Sequence, residues 1–569
     1  MNKRIARFFI EFPILMFILE TLSFIVGWQI TTFPFIIAWI GLLIFELYSI
    51  SNLSDKLIFV ITSLLITTIC ICIMTYLYDT SFDGQWYHSA VILLQQQGWN
   101  PFYNPIITPD TEPYSTNTHL WISHYAKGME TIESGIVALT GNLESGKAVN
   151  LFFIVSIIGF AYSFLKKLLP NHKKYIIMGM TTITVLNPVV INQTFTYYID
   201  YTSYIFIVIG CILIYDVIIL KEKRSIITLL LIGFFVPTIK MNISFWVILI
   251  MTLFLVAIWL RTKQLKKTVF WKMVIAVFLG FVVGGFNPYV TNIYLKGDVL
   301  YPLNGPDRER VEKMSMPDMM WGKSRLYQAN YSLIVNPYSN DAKRHGNTHI
   351  PSVSKDDIMD SARHDVQLGG FGIFFFEAIV LLLVLFFTLP KTYRWKYVGV
   401  GLLILYSSLF LLPSGSLARY VPFFYLFPLM IVLLALKEKL CIYQKCILGL
   451  SVGMLFLNAG ISLTGVSAMV VQQKIQNDYI VKELKAYDKT VYVRSPSCQL
   501  YEKLKKAEVP FTIEKTDEGT FYEIDMVGCD PVISAPISIF RIGDQPLLMK
   551  KIPMFQLKIT ELRGRDLTK

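Results

Sequence analysis

Apolar stretches long enough to cross a bilayer recur thirteen times along the chain, at 8–28, 30–50, 57–78, 148–166, 175–193, 201–220, 225–239, 243–260, 269–290, 371–389, 397–412, 417–436 and 446–466. A hydrocarbon layer about 30 Å thick takes about 20 apolar residues in helical form, and helix is the form that satisfies the backbone inside it. The pattern predicts an all-α polytopic membrane protein with about 13 transmembrane helices. Composition points the same way: mean hydropathy is +0.51 and only 16% of residues are charged, more apolar surface than an aqueous core can absorb. The net charge of +12 is carried by short loops between apolar runs, which is orientation chemistry and argues against a nucleic-acid partner.

Threading the stretches as alternating crossings puts every basic short loop on one side: Lys3 and Arg4, Lys56, Lys166 to Lys174, Lys221 to Arg224, Arg261 to Lys267, Lys391 to Lys396, and Lys437 to Lys445. That side is then the cytoplasm. Residues 1–466 form the transmembrane part, with external loops at 79–147 and 291–370, and 467–569 form a small extracytoplasmic α/β domain. Within it, Thr490 to Arg494 reads as a strand and Gln499 to Lys506 as a helix, with further strands around Phe521 to Val527 and Ile537 to Ile542. The short stretch 225–239, ending in Pro237 and Lys240, reads either as a crossing or as re-entrant. Lys3, Arg4 and Arg7 precede an apolar run with no small-residue cleavage site, so the first span is expected to be retained. Cys498 and Cys529 lie in the polar C-terminal region, where a disulfide is one option.

The third span leads directly into Asp79-Thr80-Ser81-Phe82-Asp83-Gly84-Gln85-Trp86-Tyr87-His88. From Trp86 the apolar residues Trp86, Ala90, Val91, Leu93 and Leu94 recur at helical spacing, which predicts a helix lying in the interface plane. Asp83 has two readings. In one it caps that helix; in the other it is a general base that accepts the proton of an incoming hydroxyl, with Asp79 positioning or tuning it. His88 follows one turn along and can reach a phosphate, or can be an ordinary interfacial residue.

An Asp at the start of the first large external loop, directly after a span and ahead of an interfacial helix, resembles the GT-C superfamily of polyprenyl-phosphate-sugar-dependent glycosyltransferases. The resemblance lies in overall architecture and a few short motifs. Here the acids are spaced Asp-x-x-x-Asp, and two spans precede the one that carries them. It implies a polyprenyl-phosphate-sugar donor in the lipid bilayer, an extracytoplasmic glycan, lipid or protein as acceptor, and cationic groups at the outer surface to hold the donor phosphate. Lys240, in Val236-Pro237-Thr238-Ile239-Lys240, and Arg419 with Tyr420, in Ala418-Arg419-Tyr420-Val421-Pro422, meet that need. The second is similar to the Arg-Tyr-x-x-Pro signature of several GT-C enzymes. Each also has a plain reading, Arg419 as a snorkelling side chain and Lys240 as a helix end. Asp200 is a third external acid, and Trp86 a second aromatic candidate, beside Tyr420, for substrate contact. No cofactor is assigned, and a divalent cation is left open.

Rival readings concern other residues. A polysaccharide polymerase or ligase would use the 291–370 loop, with Arg308, Arg310, Trp321, Arg325, Arg344, His345, His349, Arg363 and His364. Gly346 and Pro351 speak against a helical metal site at His345 and His349. A lipid-linked-glycan flippase would place ionisable groups in a mid-membrane cavity; Glu11, Glu20, Glu46, Asp216 and Glu377 are the few available.

Overall fold

A computed structural model describes residues 2–111, 118–264, 267–337, 355–366, 368–391, 393–411, 413–495 and 497–513, together with 521–525, 532–534, 546 and 558–562. These residues are overwhelmingly helical. Among the described residues, six helices are long and apolar enough to cross a membrane: Lys3–Ile25, Leu53–Tyr76, Leu143–Leu168, Met241–Thr262, Lys267–Gly284 and Ile442–Tyr487. Shorter apolar helices accompany them, among them Phe33–Tyr48, Thr202–Ile218, Arg224–Thr238 and Phe375–Thr388.

Local chemistry explains why several apolar stretches are not single long helices. The stretch 175–193 is two helices, Lys174–Val185 and Pro188–Gln193, because the Asn187 side chain accepts from the Val189 N–H and Pro188 opens the second. The stretch 417–436 starts as 3-10 turns, Ala418–Tyr420 and Pro422–Tyr425, ahead of the helix Leu426–Ala435. Pro422 has no N–H to give to a helix continuing from before it. The irregular start of this stretch carries its polar side chains into the bundle, and this is how Arg419 comes to be buried.

One end of the bundle is tied by ion pairs. Lys3 Nζ stands 2.7 Å from Asp216 Oδ2, and Arg7 Nη2 stands 2.8 Å from Glu222 Oε1. Arg224 is the hub: Nη1 donates to Glu11 Oε1 at 2.6 Å and Nη2 to Glu46 Oε1 at 2.8 Å, while Glu11 and Glu46 are both buried. Two buried carboxylates thus share one guanidinium, with Arg4 Nε 3.6 Å from Glu46 Oε2 and Thr228 Oγ1 donating to Glu11 at 2.6 Å as further partners. Arg224→Met is expected to lower stability by about 3–5 kcal/mol, because it removes the ion-pair partner of the buried Glu11 carboxylate; the thermal unfolding midpoint of the purified protein reads this directly.

The opposite end carries the acid loop. Helix Arg224–Phe235 runs from the ion-pair face through the 3-10 turn Val236–Thr238 to Lys240, whose extended backbone starts Met241–Thr262. Lys240 reaches Asp200 at 2.8 Å, just before the helix Thr202–Ile218, while Asp216, in the last turn of that helix, meets Lys3. The stretch 225–239 therefore extends from one end of the bundle to the other.

Ile442–Tyr487 spans 46 residues, about 69 Å at 1.5 Å per residue and roughly twice the hydrocarbon thickness. Its buried stripe, Gln444, Ser451, Leu455, Asn458, Ser462, Gly465, Met469, Gln473, Gln476, Ile480 and Leu484, keeps steps of three, four or seven along its length. The helix ends where Asp488 takes a left-handed conformation at φ 51°. Beyond it, Tyr479, Ile480 and Leu484 pack with Val491, Val493, Leu500, Tyr501 and Leu504. Five short strands form one sheet in the order Phe511–Thr512, Val491–Arg494, Val532–Ser534, Phe521–Asp525, Lys558–Leu562, the first pair parallel and the others antiparallel. The strand expected at Ile537 to Ile542 and the residue Cys529 lie outside the described residues; Cys498 is buried.

Candidate functional site

The acid loop begins where Leu77 leaves the helix Leu53–Tyr76 in extended conformation. Asp79 Oδ1 accepts from the Ser81 N–H at 2.8 Å and from Ser81 Oγ at 2.7 Å, and Oδ2 accepts from the Tyr197 N–H at 3.2 Å. Gly84 is required here. A Cβ on it would stand 2.1 Å from Asp79 Oδ2, 2.2 Å from Ser81 Oγ and 3.0 Å from the Tyr197 Cβ. Asp79 is fully buried, and burial pushes its carboxyl above the usual carboxylate range, with Glu144 adding to the rise and Lys147 opposing it. It shapes the turn from behind.

After the turn come a π-helical segment, Gly84–His88, and the helix Ser89–Gln96. The helix expected after Trp86 is present, and protein covers it on all sides: every residue from Gly84 to Gln95 is buried. Its polar residues are matched by remote partners, His88 by Glu130, Gln95 by Thr131 and Ser134, and Ser89 by Gln499. An amphipathic pattern normally marks a half-wet helix; here the polar face is covered by protein.

Asp83 is the member of the loop left partly open, with 20% of its side chain exposed. It makes no side-chain capping hydrogen bond to the helix it precedes, so capping does not account for it. Its Oδ2 lies 3.8 Å from Arg419 Nη1, longer than a hydrogen bond. Arg419 is buried, its guanidinium 5.3 Å from the Tyr198 ring centroid and 4.6 Å from that of Tyr420, and it donates to the Tyr420 hydroxyl. Its Nε has no hydrogen-bond partner. The Tyr198 hydroxyl takes a hydrogen bond from the Asp83 backbone N–H. Lys240 Nζ sits 5.2 Å from the Tyr420 ring centroid and 2.8 Å from Asp200 Oδ1, while Asp200 Oδ2 is buried and unpartnered. Asp83, Arg419, Tyr420, Lys240 and Asp200 therefore form one continuous group.

Two carboxylates and two cations make this group electrically balanced. Burial alone would lower the Lys240 ammonium, but Asp200 beside it more than compensates and holds it above the ordinary lysine value. Burial raises the hydroxyls of Tyr87, Tyr125 and Tyr198 well above the ordinary tyrosine value, and the nearby Asp83 adds to each. These phenols stay protonated and can donate hydrogen bonds to an anion.

The remaining candidates face elsewhere. His88 is buried with Nδ1 2.6 Å from Glu130 Oε1 and Nε2 unpartnered inside the protein, so it does not present a nitrogen to the surface. Trp86 packs 4.6 Å from Trp121 and 5.4 Å from Phe82, ring centroid to ring centroid, as part of an apolar cluster beneath the loop. In the 291–370 loop Arg325 donates to the Leu411 carbonyl at 3.0 Å, Arg363 pairs with Asp360, and Arg310 lies over Trp121 at 5.4 Å. Arg344, His345 and His349 lie outside the described residues. Among the described residues, no group of three or more His, Cys, Asp or Glu side chains could hold a metal ion. Tyr198, Tyr125 and Tyr87 join the site from segments whose sequence marks them only as aromatic.

His364 locks the loop from the side. Its Nδ1 lies against the Asn192 carbonyl, which only accepts, so Nδ1 carries the hydrogen and Nε2 accepts from Thr80 Oγ. Burial lowers this imidazole from 6.5 to about 4. A depressed pKa means the stabilisation is complete above pH 6.5 and is lost as pH falls through 6.5 to about 4. The expected loss over that window is about 3 kcal/mol at most, read from unfolding midpoints across pH; His364→Gln should flatten that part of the profile.

No protein-family model, curated protein or solved structure matches this chain.

Proposed function

We propose that the chain is a membrane glycosyltransferase that moves a sugar from a polyprenyl-phosphate donor to an extracytoplasmic glycan, lipid or protein, with inversion at the anomeric carbon. In this reading about 13 spans lie in a bacterial plasma membrane, the N-terminus is cytoplasmic, and the residues after Val466 form an extracytoplasmic α/β domain. One observation carries it: a buried guanidinium with an unpartnered Nε, boxed by tyrosines, stands 3.8 Å from a partly exposed carboxylate that no helix cap explains.

The chemistry fits those parts. Asp83 takes the proton of the acceptor hydroxyl as its oxygen attacks the anomeric carbon. The bond from that carbon to the phosphate oxygen breaks, and the diester leaves as a phosphate monoester with one more negative charge. Arg419 and Lys240 meet that charge where it develops. The Asp83 to Arg419 distance exceeds a hydrogen bond, so an arriving phosphate can take over the guanidinium and release the carboxylate as base. Tyr198 and Tyr420 hold the guanidinium plane meanwhile.

The test is reconstitution of the purified protein in liposomes with a panel of hexosyl and pentosyl polyprenyl phosphates and cell-envelope acceptors. Release of polyprenyl phosphate that depends on acceptor supports the reading; a wild-type protein that consumes none of these donors removes it.

A further inference from the structure

The helix Cys498–Lys506 reaches the acid loop from the far end of the chain. Ser497 Oγ accepts from the Leu500 N–H at 3.2 Å as its cap and donates to Gln85 Oε1 at 3.0 Å. Gln499 Nε2 donates to Ser89 Oγ at 2.9 Å and lies 3.4 Å from Asp79 Oδ2. Lys503 Nζ stands 3.1 Å from Glu144 Oε1, and Glu144 Oε2 accepts from the Asp79 N–H at 3.0 Å. Cys498 is in the apolar cluster of Trp86, Tyr87 and Trp121. Ser497, Cys498 and Gln499 are all buried.

These contacts bracket Asp83. Asp79 precedes it, while Gln85 and Ser89 follow it within the π-helical turn and the first turn of the next helix. Gln499 touches both sides of the bracket through one amide nitrogen, and its Oε1 is buried without a partner. Turning the amide over would set that oxygen against the Asp79 carboxyl, so the loop itself dictates how the amide stands. A buried polar contact of this kind fixes geometry more than it adds stability. Catalytic groups need such fixing, since misplacement by about 1 Å costs on the order of 100-fold in rate.

We propose that Gln499 is a positioning residue for Asp83, and that the helix Cys498–Lys506 is a strut of the site rather than part of a separate acceptor-binding unit. The inference rests on the glycosyltransfer reading for its effect on turnover, though not for the strut itself.

The test uses the full chain with Gln499→Leu, which keeps the bulk and removes the amide, and Ser89→Ala, singly and together. Expected are a fall in kcat of about tenfold or more in Gln499→Leu with donor KM held within about twofold, and a double variant little worse than Gln499→Leu, as for residues acting through one contact. Lys505→Ala and Lys506→Ala, on the exposed end of the same helix, should leave both constants unchanged. Hydrogen exchange over residues 79–89 should quicken in Gln499→Leu whatever reaction the protein catalyses. Unchanged exchange, or kcat within about twofold of wild type, overturns the strut. Wild-type protein without transferase activity would sink the enzyme reading alone, since exchange still decides the strut. If Gln499→Leu does not yield folded protein, Ser89→Ala carries the same two readouts.

Discussion

Asp83→Asn is expected to lower turnover by about 10²- to 10⁴-fold, the range for loss of a positioned general base, while leaving the protein folded and the donor bound. The substitution is isosteric, and the Asp83 side chain is 20% exposed with no helix-capping bond to lose. The cation opposite it, Arg419, keeps its two tyrosine faces and the nearby Asp200. Asn at this position cannot accept the proton of an incoming hydroxyl. Donor KM and the unfolding midpoint should stay close to wild type, so that the whole deficit appears in kcat; wild-type turnover in this variant would remove Asp83 as the base. Asp79 makes an instructive contrast. Its carboxyl accepts from the Ser81 and Tyr197 N–H groups in a site closed to solvent, where an amide nitrogen would meet another donor. A defect at Asp79 would therefore arise through the shape of the turn, with stability falling alongside rate.

The long apolar helices were legible because burial in lipid is a property of composition, read over about 20 residues at a time. Hydropathy loses the thread where polar residues are buried against protein. The last apolar stretch stops at Val466, yet the helix runs to Tyr487, because Gln473, Gln476 and Asn477 continue the buried stripe with amides rather than hydrocarbon. The segment after Trp86 shows the same effect. Its helical spacing is plain, but the partners of Gln85, His88, Ser89 and Gln95 come from Ser497, Glu130, Gln499 and Ser134, and no local pattern announces contacts of that sequence separation. Asp83, Lys240 and Arg419 were legible as charges at one end of the bundle. Which carboxylate meets which cation was not: Lys240 goes to Asp200 and Arg419 stands opposite Asp83, a pairing set by how the broken helices around Pro237 and Pro422 end.

That pairing gives Arg419 a different standing from the other buried cations, and substitution should expose it. Arg419→Lys and Arg419→Met are both expected to lower kcat by about 10²- to 10³-fold, the scale for removing one preorganised donor to a developing charge. Lysine should not rescue, because the guanidinium is held as a plane between Tyr198 and Tyr420, at 5.3 Å and 4.6 Å from their ring centroids. A shorter ammonium neither fills that slot nor offers two parallel donors to a phosphate. Stability should change less than rate, since the carboxylate left behind, Asp83, already reaches solvent. Lys240 is unlike it in this respect: it neutralises Asp200, which is 1% exposed, so its removal strands a buried charge. Measured together, kcat and unfolding midpoint separate the two cations, Arg419 serving the reaction at little cost to the fold and Lys240 serving both. An Arg419→Lys protein that turns over like wild type would show that no planar phosphate clamp operates here, and the donor phosphate would have to be sought away from the tyrosine box.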